Sequence, residues 1–176
     1  MFGSRNKGSK AEREVASLLT SWWSAIEPDV KFVKTPLSGG WSNAKVRGDM
    51  RASGDIMTTS KTFPFAVEVK RREGFAWSTF LAGRASPVWG WWLQTLKAAS
   101  EQKGVPMLWL RKNGEPWRIV LPWDASPTYA IDGLVSRRFI LARMTPPALL
   151  PDVFVLAANA VLAVPPDRFL PPTRER

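Results

Sequence analysis

The stretch GDIMTTSKTFPFAVEVK, residues 54–70, carries the pattern from which the rest of the chain can be placed. Phe65, Val67 and Val69 alternate with Ala66, Glu68 and Lys70, the period-two pattern of a strand with one buried face. Residues 55–59 read as a second strand, with SKTF as a short turn between the two. Side chains two apart on a strand point the same way, so Glu68 and Lys70 project together, roughly 7 Å apart. Asp55 opens the neighbouring strand, where pairing carries it towards Glu68.

Outward from this pair the chain reads as α/β. Residues 9–25 have helical periodicity, with Val15, Leu18, Leu19 and Trp22 on one side and Ser9 and Glu12 at capping-box spacing. A strand is expected over 30–35, followed by a polar, Gly-rich loop over 36–54. Residues 71–87 read as irregular, and 88–104 as a helix ended by Gly104. Strands over 106–112 and 117–122 flank an NGEP turn, and another is expected over 137–143. Residues 152–164 fit helix and strand equally well. This order predicts an α/β fold with a small central mixed sheet flanked by helices. It also suggests a domain over 1–144 and a Pro-rich extension over 145–176, packed on that domain or extending from it.

Composition narrows the chemistry. The 176 residues include no Cys and no His. Disulfides, thiolate nucleophiles, His-ligated zinc and Ser-His-Asp triads are therefore excluded. Catalysis must rest on carboxylates, Lys, Ser, Tyr or Gln, with an oxygen-liganded cation such as Mg²⁺ as the available metal. Twenty-five basic residues stand against 15 acidic ones, a formal charge of +10. A field of that sign suits a polyanion, above all nucleic acid. Arg5, Lys7, Lys10 and Arg13 form one cluster; Lys34, Lys45, Arg47 and Arg51 belong to a second, more dispersed one. Arg71 and Arg72 follow directly on Lys70. No window approaches the ~20 apolar residues of a membrane helix, and the N-terminus lacks the apolar core of a signal peptide. A cytoplasmic protein with no membrane partner is expected, in the host cytoplasm if the chain is viral.

Two carboxylates and an ammonium at a strand edge are the parts needed for metal-assisted phosphodiester hydrolysis. Carboxylates bind Mg²⁺ with water completing its octahedron, and a neighbouring Lys orients the attacking water and stabilises developing charge. Taken alone, Glu-x-Lys on a strand equally describes a solvated ion pair.

Four ordered motifs go further. Gly54-Asp55-Ile56 with Glu68-Val69-Lys70 resembles the PD-(D/E)XK nuclease signature, with Gly54 in place of the usual Pro. KGSKAEREVASLL, residues 7–19, resembles the start of archaeal-type Holliday junction resolvases, and KTPLSGG, residues 34–40, their basic residue and Ser-Gly loop. The resemblance implies a restriction-endonuclease-like fold and a Mg²⁺ cofactor, with Mn²⁺ as a substitute. It implies Asp55 and Glu68 as metal ligands, helped by the Val69 backbone carbonyl, and Lys70 as the catalytic lysine. Glu12 would complete the metal or water shell, Ser38 would sit near the scissile phosphate, and Gln94 matches an active-site glutamine on the following helix. Glu14 competes with Glu12 for its role, but KGSKAER places Glu12 in register; Asp49 is the rival of Asp55, but only Asp55 leads directly into a strand expected to pair with FAVEVK. Gln94 reads equally well as an exposed helix residue. The segment 73–92 and the Pro-rich tail depart from the archaeal pattern; in the former, bacteriophage-encoded relatives look similarly Trp-rich.

The chain holds ten Trp. Trp89 and Trp92, with Leu93, Leu96 and Ala99, form an apolar helical stripe suited to a core. Trp22 and Trp23 leave their helix on different faces, so one is expected outward or at an interface. Trp77 and Phe80 are expected either to stack on bases at a DNA branch point or, the favoured reading, to cover a dimer interface. The function this supports is resolution of four-way junctions in branched double-stranded DNA by a homodimer making paired nicks. The alternatives are another PD-(D/E)XK endonuclease and a non-catalytic basic DNA-binding protein.

Overall fold

Alternation along β4, residues Phe65–Arg71, organises the molecule. The computed structural model describes residues 3–36, 50–122, 140–144 and 153–170. Before β4 come α1 (Gly3–Trp23), β1 (Phe32–Lys34), β2 (Arg51–Ser53) and β3 (Ile56–Thr58). After it come α2 (Trp77–Leu81), α3 (Pro87–Gln102), β5 (Val105–Arg111), β6 (Arg118–Pro122), β7 (Ile140–Met144), β8 (Val153–Ala157), α4 (Ala158–Leu162) and a 3₁₀ turn over Pro166–Phe169.

The strands form a three-stranded sheet in the order β1-β3-β2 and a five-stranded sheet in the order β4-β5-β6-β8-β7. Only the β4–β5 pair is parallel within them. The expected α/β fold with a mixed sheet and flanking helices is present. β3 and β4 do not form a hairpin, however. They belong to different sheets, which meet at one bridge between Gly54 and Val67.

Period-two burial gives the five-stranded sheet two apolar faces. Phe65, Val67, Val69, Met107, Trp109, Ile119 and Leu156 join Val15, Leu19 and Trp23 of α1 in one core. Leu108, Leu110, Val120, Val153 and Val155 join Phe80, Val88, Trp89 and Trp92 in the other. In register, Glu68 lies opposite Leu108 and Lys70 opposite Leu110. Both charged side chains therefore project on the α3 side, from the outermost strand of that sheet.

Several boundaries differ from expectation, each for a local reason. The first helix runs on through Ser9 to Gly3, so Ser9 is no N-cap. At α3, Ser86 is the N-cap and Pro87 the first residue, both suited to starting a helix. Its left-handed cap is Lys103 rather than Gly104. Gly104 instead allows close approach to β4, since a Cβ there would lie 3.2 Å from the Pro64 carbonyl oxygen. Residues 71–87 contain α2, which covers the second core. Phe80 is thereby fully buried and removed from any DNA or dimer contact. Trp77 is half-buried, donating to Glu115 Oε2 at 2.6 Å under the Arg118 guanidinium. In the α3 stripe, Thr95 is buried whereas Leu93 is 51% exposed. Arg51, expected in a loop, lies exposed on β2 and donates to the carbonyls of Ser60 and Phe63.

Neither Trp22 nor Trp23 points outward. Trp23 is fully buried against Phe63. Trp22 packs edge-on to Phe169 and donates to the Val164 carbonyl at 2.8 Å. The ambiguous 152–164 segment resolves into β8 followed by α4. β8 lies between β6 and β7, so the C-terminal segment supplies an internal strand of the sheet.

Val153, Phe154, Val155 and Leu156 are all at most 1% exposed. Burying four such side chains is worth on the order of 6–12 kcal/mol, comparable to the roughly 5–15 kcal/mol net stability of a domain. A chain ending at Met144 should therefore fail to fold, seen as loss of the cooperative thermal transition by circular dichroism.

Candidate active site

The site begins with a close backbone approach. Gly54 has φ of +80°, and the Asp55 N–H donates to the Val67 carbonyl at 2.7 Å. A Cβ on residue 54 would stand 2.2 Å from that same oxygen. Glycine alone accommodates both the dihedral and the contact. Proline, fixed near φ −65°, cannot occupy this turn, which accounts for the Gly-Asp found where the resembled signature has Pro-Asp.

Asp55 is held from four directions. Its N–H is bound to Val67, and its carbonyl accepts from the Thr35 N–H at 2.8 Å. Thr35 Oγ1 donates to the Gly54 carbonyl at 2.9 Å. The Val69 N–H donates to Asp55 Oδ2 at 2.9 Å, and the Asp55 charge lies close enough to act on Glu68. Glu68 accepts from Lys70 Nζ. Glu12 reaches the site from α1 and pairs with Lys34 Nζ at 3.6 Å.

Asp55 is 8% exposed. The Glu68 and Lys70 side chains are 13% and 15% exposed. Burial pushes the Asp55 carboxyl up, against the pull of the Val69 N–H and Lys70. Burial also raises Glu68 and Glu12, and the charge on Asp55 raises both further. The sequence thus gathers Glu12, Asp55 and Glu68 around two ammonium groups, at an energetic cost to the carboxylates.

Among the described residues, no group of three or more His, Cys, Asp or Glu side chains stands close enough to hold a metal ion by itself. The donor chemistry nevertheless fits a hard divalent cation. Asp55 and Glu68 offer oxygen ligands only, and their raised carboxyls mark a place where added positive charge is favourable. A cation there would rest on this pair, with water completing its coordination.

Glu12 and its rival Glu14 have different surroundings. Glu14 accepts from Arg111 Nη1 and from Trp117 Nε1, each at 2.9 Å, which ties α1 to β5 and to Trp117. Glu12, two residues earlier, is turned towards Asp55 and Lys34. Gln94 is exposed on α3. Lys10 and Arg13 are exposed on α1, and Arg71 and Arg72 continue β4 beyond Lys70. Ser38, Lys45, Arg47 and Asp49 lie outside the described residues, as do the side chains of Arg5 and Lys7. Sequence reading missed Thr35 and the Arg111–Trp117 grip on Glu14. Nothing in their residue types marks them, because both depend on long-range contacts.

Residues 3–145 match a family model described as "Phage putative PDDEXK endonuclease". The chain belongs to this bacteriophage endonuclease family. Neither a curated protein nor a solved structure matches it. The mixed sheets with flanking helices are the restriction-endonuclease-like fold of the PD-(D/E)XK endonucleases, which usually use a divalent metal. No helix among the described residues is long and apolar enough to cross a membrane.

Two outcomes follow for this endonuclease. Gly54→Ala should destabilise by more than the ~1–2 kcal/mol of a left-handed residue alone, because the Val67 backbone must also move. Chemical denaturation measures this. Asp55→Asn keeps an acceptor for the Val69 N–H but removes a buried charge. A carboxyl raised in the fold binds its proton more tightly folded than unfolded. Metal-free stability therefore falls as pH rises from the ordinary carboxylate range through the raised values. In EDTA near pH 7 the variant should melt several degrees above the parent, at roughly 2–4 °C per kcal/mol. The gap should close as pH falls towards ~4.

Proposed function

We propose that this endonuclease resolves four-way DNA junctions, cutting symmetrically placed strands by Mg²⁺-dependent phosphodiester hydrolysis as a homodimer. The observation that carries the catalytic part is the alignment of Asp55 with Glu68 and Lys70 across the Gly54–Val67 bridge. The junction specificity rests on the resolvase-like order of KGSKAER, KTPLSGG, GD and EVK along the chain.

In this reading Asp55, Glu68 and the Val69 carbonyl hold the cation. When bound, it polarises the phosphoryl oxygen and makes a coordinated water more acidic. Lys70, already beside Glu68, orients the attacking water and stabilises the charge building on phosphate. The water oxygen bonds to phosphorus as the ester P–O bond breaks. Glu12 accepts a hydrogen bond from the water shell, leaving Lys34 to face phosphate. Ser38 sits by the scissile group, and Gln94 contributes from α3.

The DNA would cross the site between two cationic flanks. The ion pairs of the described residues leave Lys10 and Arg13 on α1, and Arg71 and Arg72 at the end of β4, without a carboxylate partner. Arg5, Lys7, Lys45 and Arg47 would extend this surface. Arg51, engaged with backbone carbonyls, would contribute through its charge alone. Two copies related by a two-fold axis would present two sites to the pseudo-symmetric junction.

A labelled immobile junction, a linear duplex and a splayed duplex, each with Mg²⁺ or EDTA, test this reading. Paired nicks near the crossover, abolished in Glu68→Gln while junction binding persists, are the expected result. Equal cutting of linear duplex would redirect the assignment to another kind of PD-(D/E)XK endonuclease. Binding without cleavage under any divalent cation would overturn the enzymatic reading. Junction affinity should also fall steeply with salt, as phosphate contacts release counterions.

A further inference from the structure

Thr35 is one of five buried polar or charged residues among those described, at 7% exposure, and its N–H and hydroxyl both serve the Asp55 turn. It follows Lys34, whose ammonium meets Glu12. Its N–H donates to the Asp55 carbonyl at 2.8 Å and its hydroxyl to the Gly54 carbonyl at 2.9 Å. These bonds grip the two peptide groups on either side of the Asp55 Cα from the face opposite Val67. The Val67 carbonyl takes the Asp55 N–H, so the turn is clasped between β1 and β4.

The geometry points to Thr35 as the positioning residue that sets the aim of the Asp55 carboxylate towards Glu68. A left-handed glycine gives the turn its close approach but no side chain to lock it. Without the Thr35 hydroxyl, the Gly54 carbonyl has one partner fewer, and the peptide plane before Asp55 keeps its bond to Val67 without the counterpart on the Thr35 side. The carboxylate then loses its fixed distance from Glu68 before any contact with DNA is affected. Groups that orient ligands without touching the metal commonly change metal affinity or activity by about 10–100-fold. This role deepens the proposed nuclease reading and rests on it.

Thr35→Val keeps the shape and removes the hydroxyl; Thr35→Ser keeps the hydroxyl. Calorimetric titration with Mg²⁺ alone, without DNA, should show about tenfold or greater weakening in Thr35→Val and near-parental affinity in Thr35→Ser. Junction binding in EDTA should be equal in all three, and the Mg²⁺ concentration for half-maximal cleavage should rise in Thr35→Val by the same factor. Parental Mg²⁺ affinity in Thr35→Val, or equal weakening in both variants, overturns the assignment. If Thr35→Val does not fold, the wild-type protein decides. Its Thr35 amide hydrogen should exchange several-fold more slowly with Mg²⁺ bound, and unchanged exchange overturns the role. A wild-type protein that neither binds Mg²⁺ nor cuts DNA overturns the nuclease reading as well. A wild type that cuts, an Asp55→Asn that does not, and a Thr35→Val matching wild type overturn the positioning role alone.

Discussion

The contact between Gly54 and Val67 is the constraint on which the site depends. Among the described residues it is the one β-bridge between the two sheets, and it brings the Asp55 N–H to 2.7 Å from the Val67 carbonyl. β4 is the outermost strand of its sheet and would otherwise present free hydrogen-bonding groups. The Gly54-Asp55 turn occupies part of that edge, stops short of continuing it as a full strand, and leaves Glu68 and Lys70 accessible beside it. A longer pairing would have built one continuous sheet and covered the carboxylates. A looser one would have left Asp55 without a fixed relation to Glu68.

The electrostatics follow from that placement. Carboxylates gathered at a half-buried edge repel one another and lose hydration, and the fold meets this with local donors rather than distant charge. The Val69 N–H serves Asp55, Lys70 serves Glu68 and Lys34 serves Glu12. Removing any donor would leave its carboxylate more costly to ionise. The balance is still unfavourable, since all three carboxyls stay raised. A site held in this state gains from a cation and from the approach of a group able to use its ammonium ions. Conformational stability is reduced locally for the sake of chemistry.

How much of this was legible in the sequence depended on the range of the interaction. Alternation in 65–70 and the spacing to Asp55 were local, and they indicated the strand, its buried face and the acidic pair. The helical stripe over Val15 and Leu19 was local too. The failures came where a residue's partner lies far along the chain. One of Trp22 and Trp23 reads as outward because the residues that cover Trp22, Val164 and Phe169, are more than 140 positions away. Phe80 read as exposed because α2 is only five residues long and too short to show a period. β8 was ambiguous because a strand buried on both faces has a continuous apolar run, which period alone does not distinguish from a buried helix. The register of KGSKAER favours Glu12 over Glu14, but the physical reason, the Arg111 grip on Glu14, lies nearly a hundred residues on.

That pairing explains how α1 delivers Glu12. Residues two apart on a helix point in widely different directions, so fixing one fixes the rotation that governs the other. Arg111 grips Glu14 while stacking 4.2 Å above the Trp117 ring, and the Trp117 indole donates to the same carboxylate. At the C-terminal end of the helix, Trp23 donates to Glu27, which also accepts from Ser60 and Thr62 in the β3–β4 connection. The helix is therefore anchored at its middle to the sheet that carries Glu68 and at its C-terminal end to the β3–β4 connection. The indoles do more than fill volume, for each combines a large apolar surface with one directed donor. With rotation fixed by Glu14 and the far end held through Trp22 and Trp23, Glu12 can only face Asp55. The abundance of tryptophan and the position of the acidic residues are two aspects of one requirement, that a helix and a sheet edge keep a fixed register around the site.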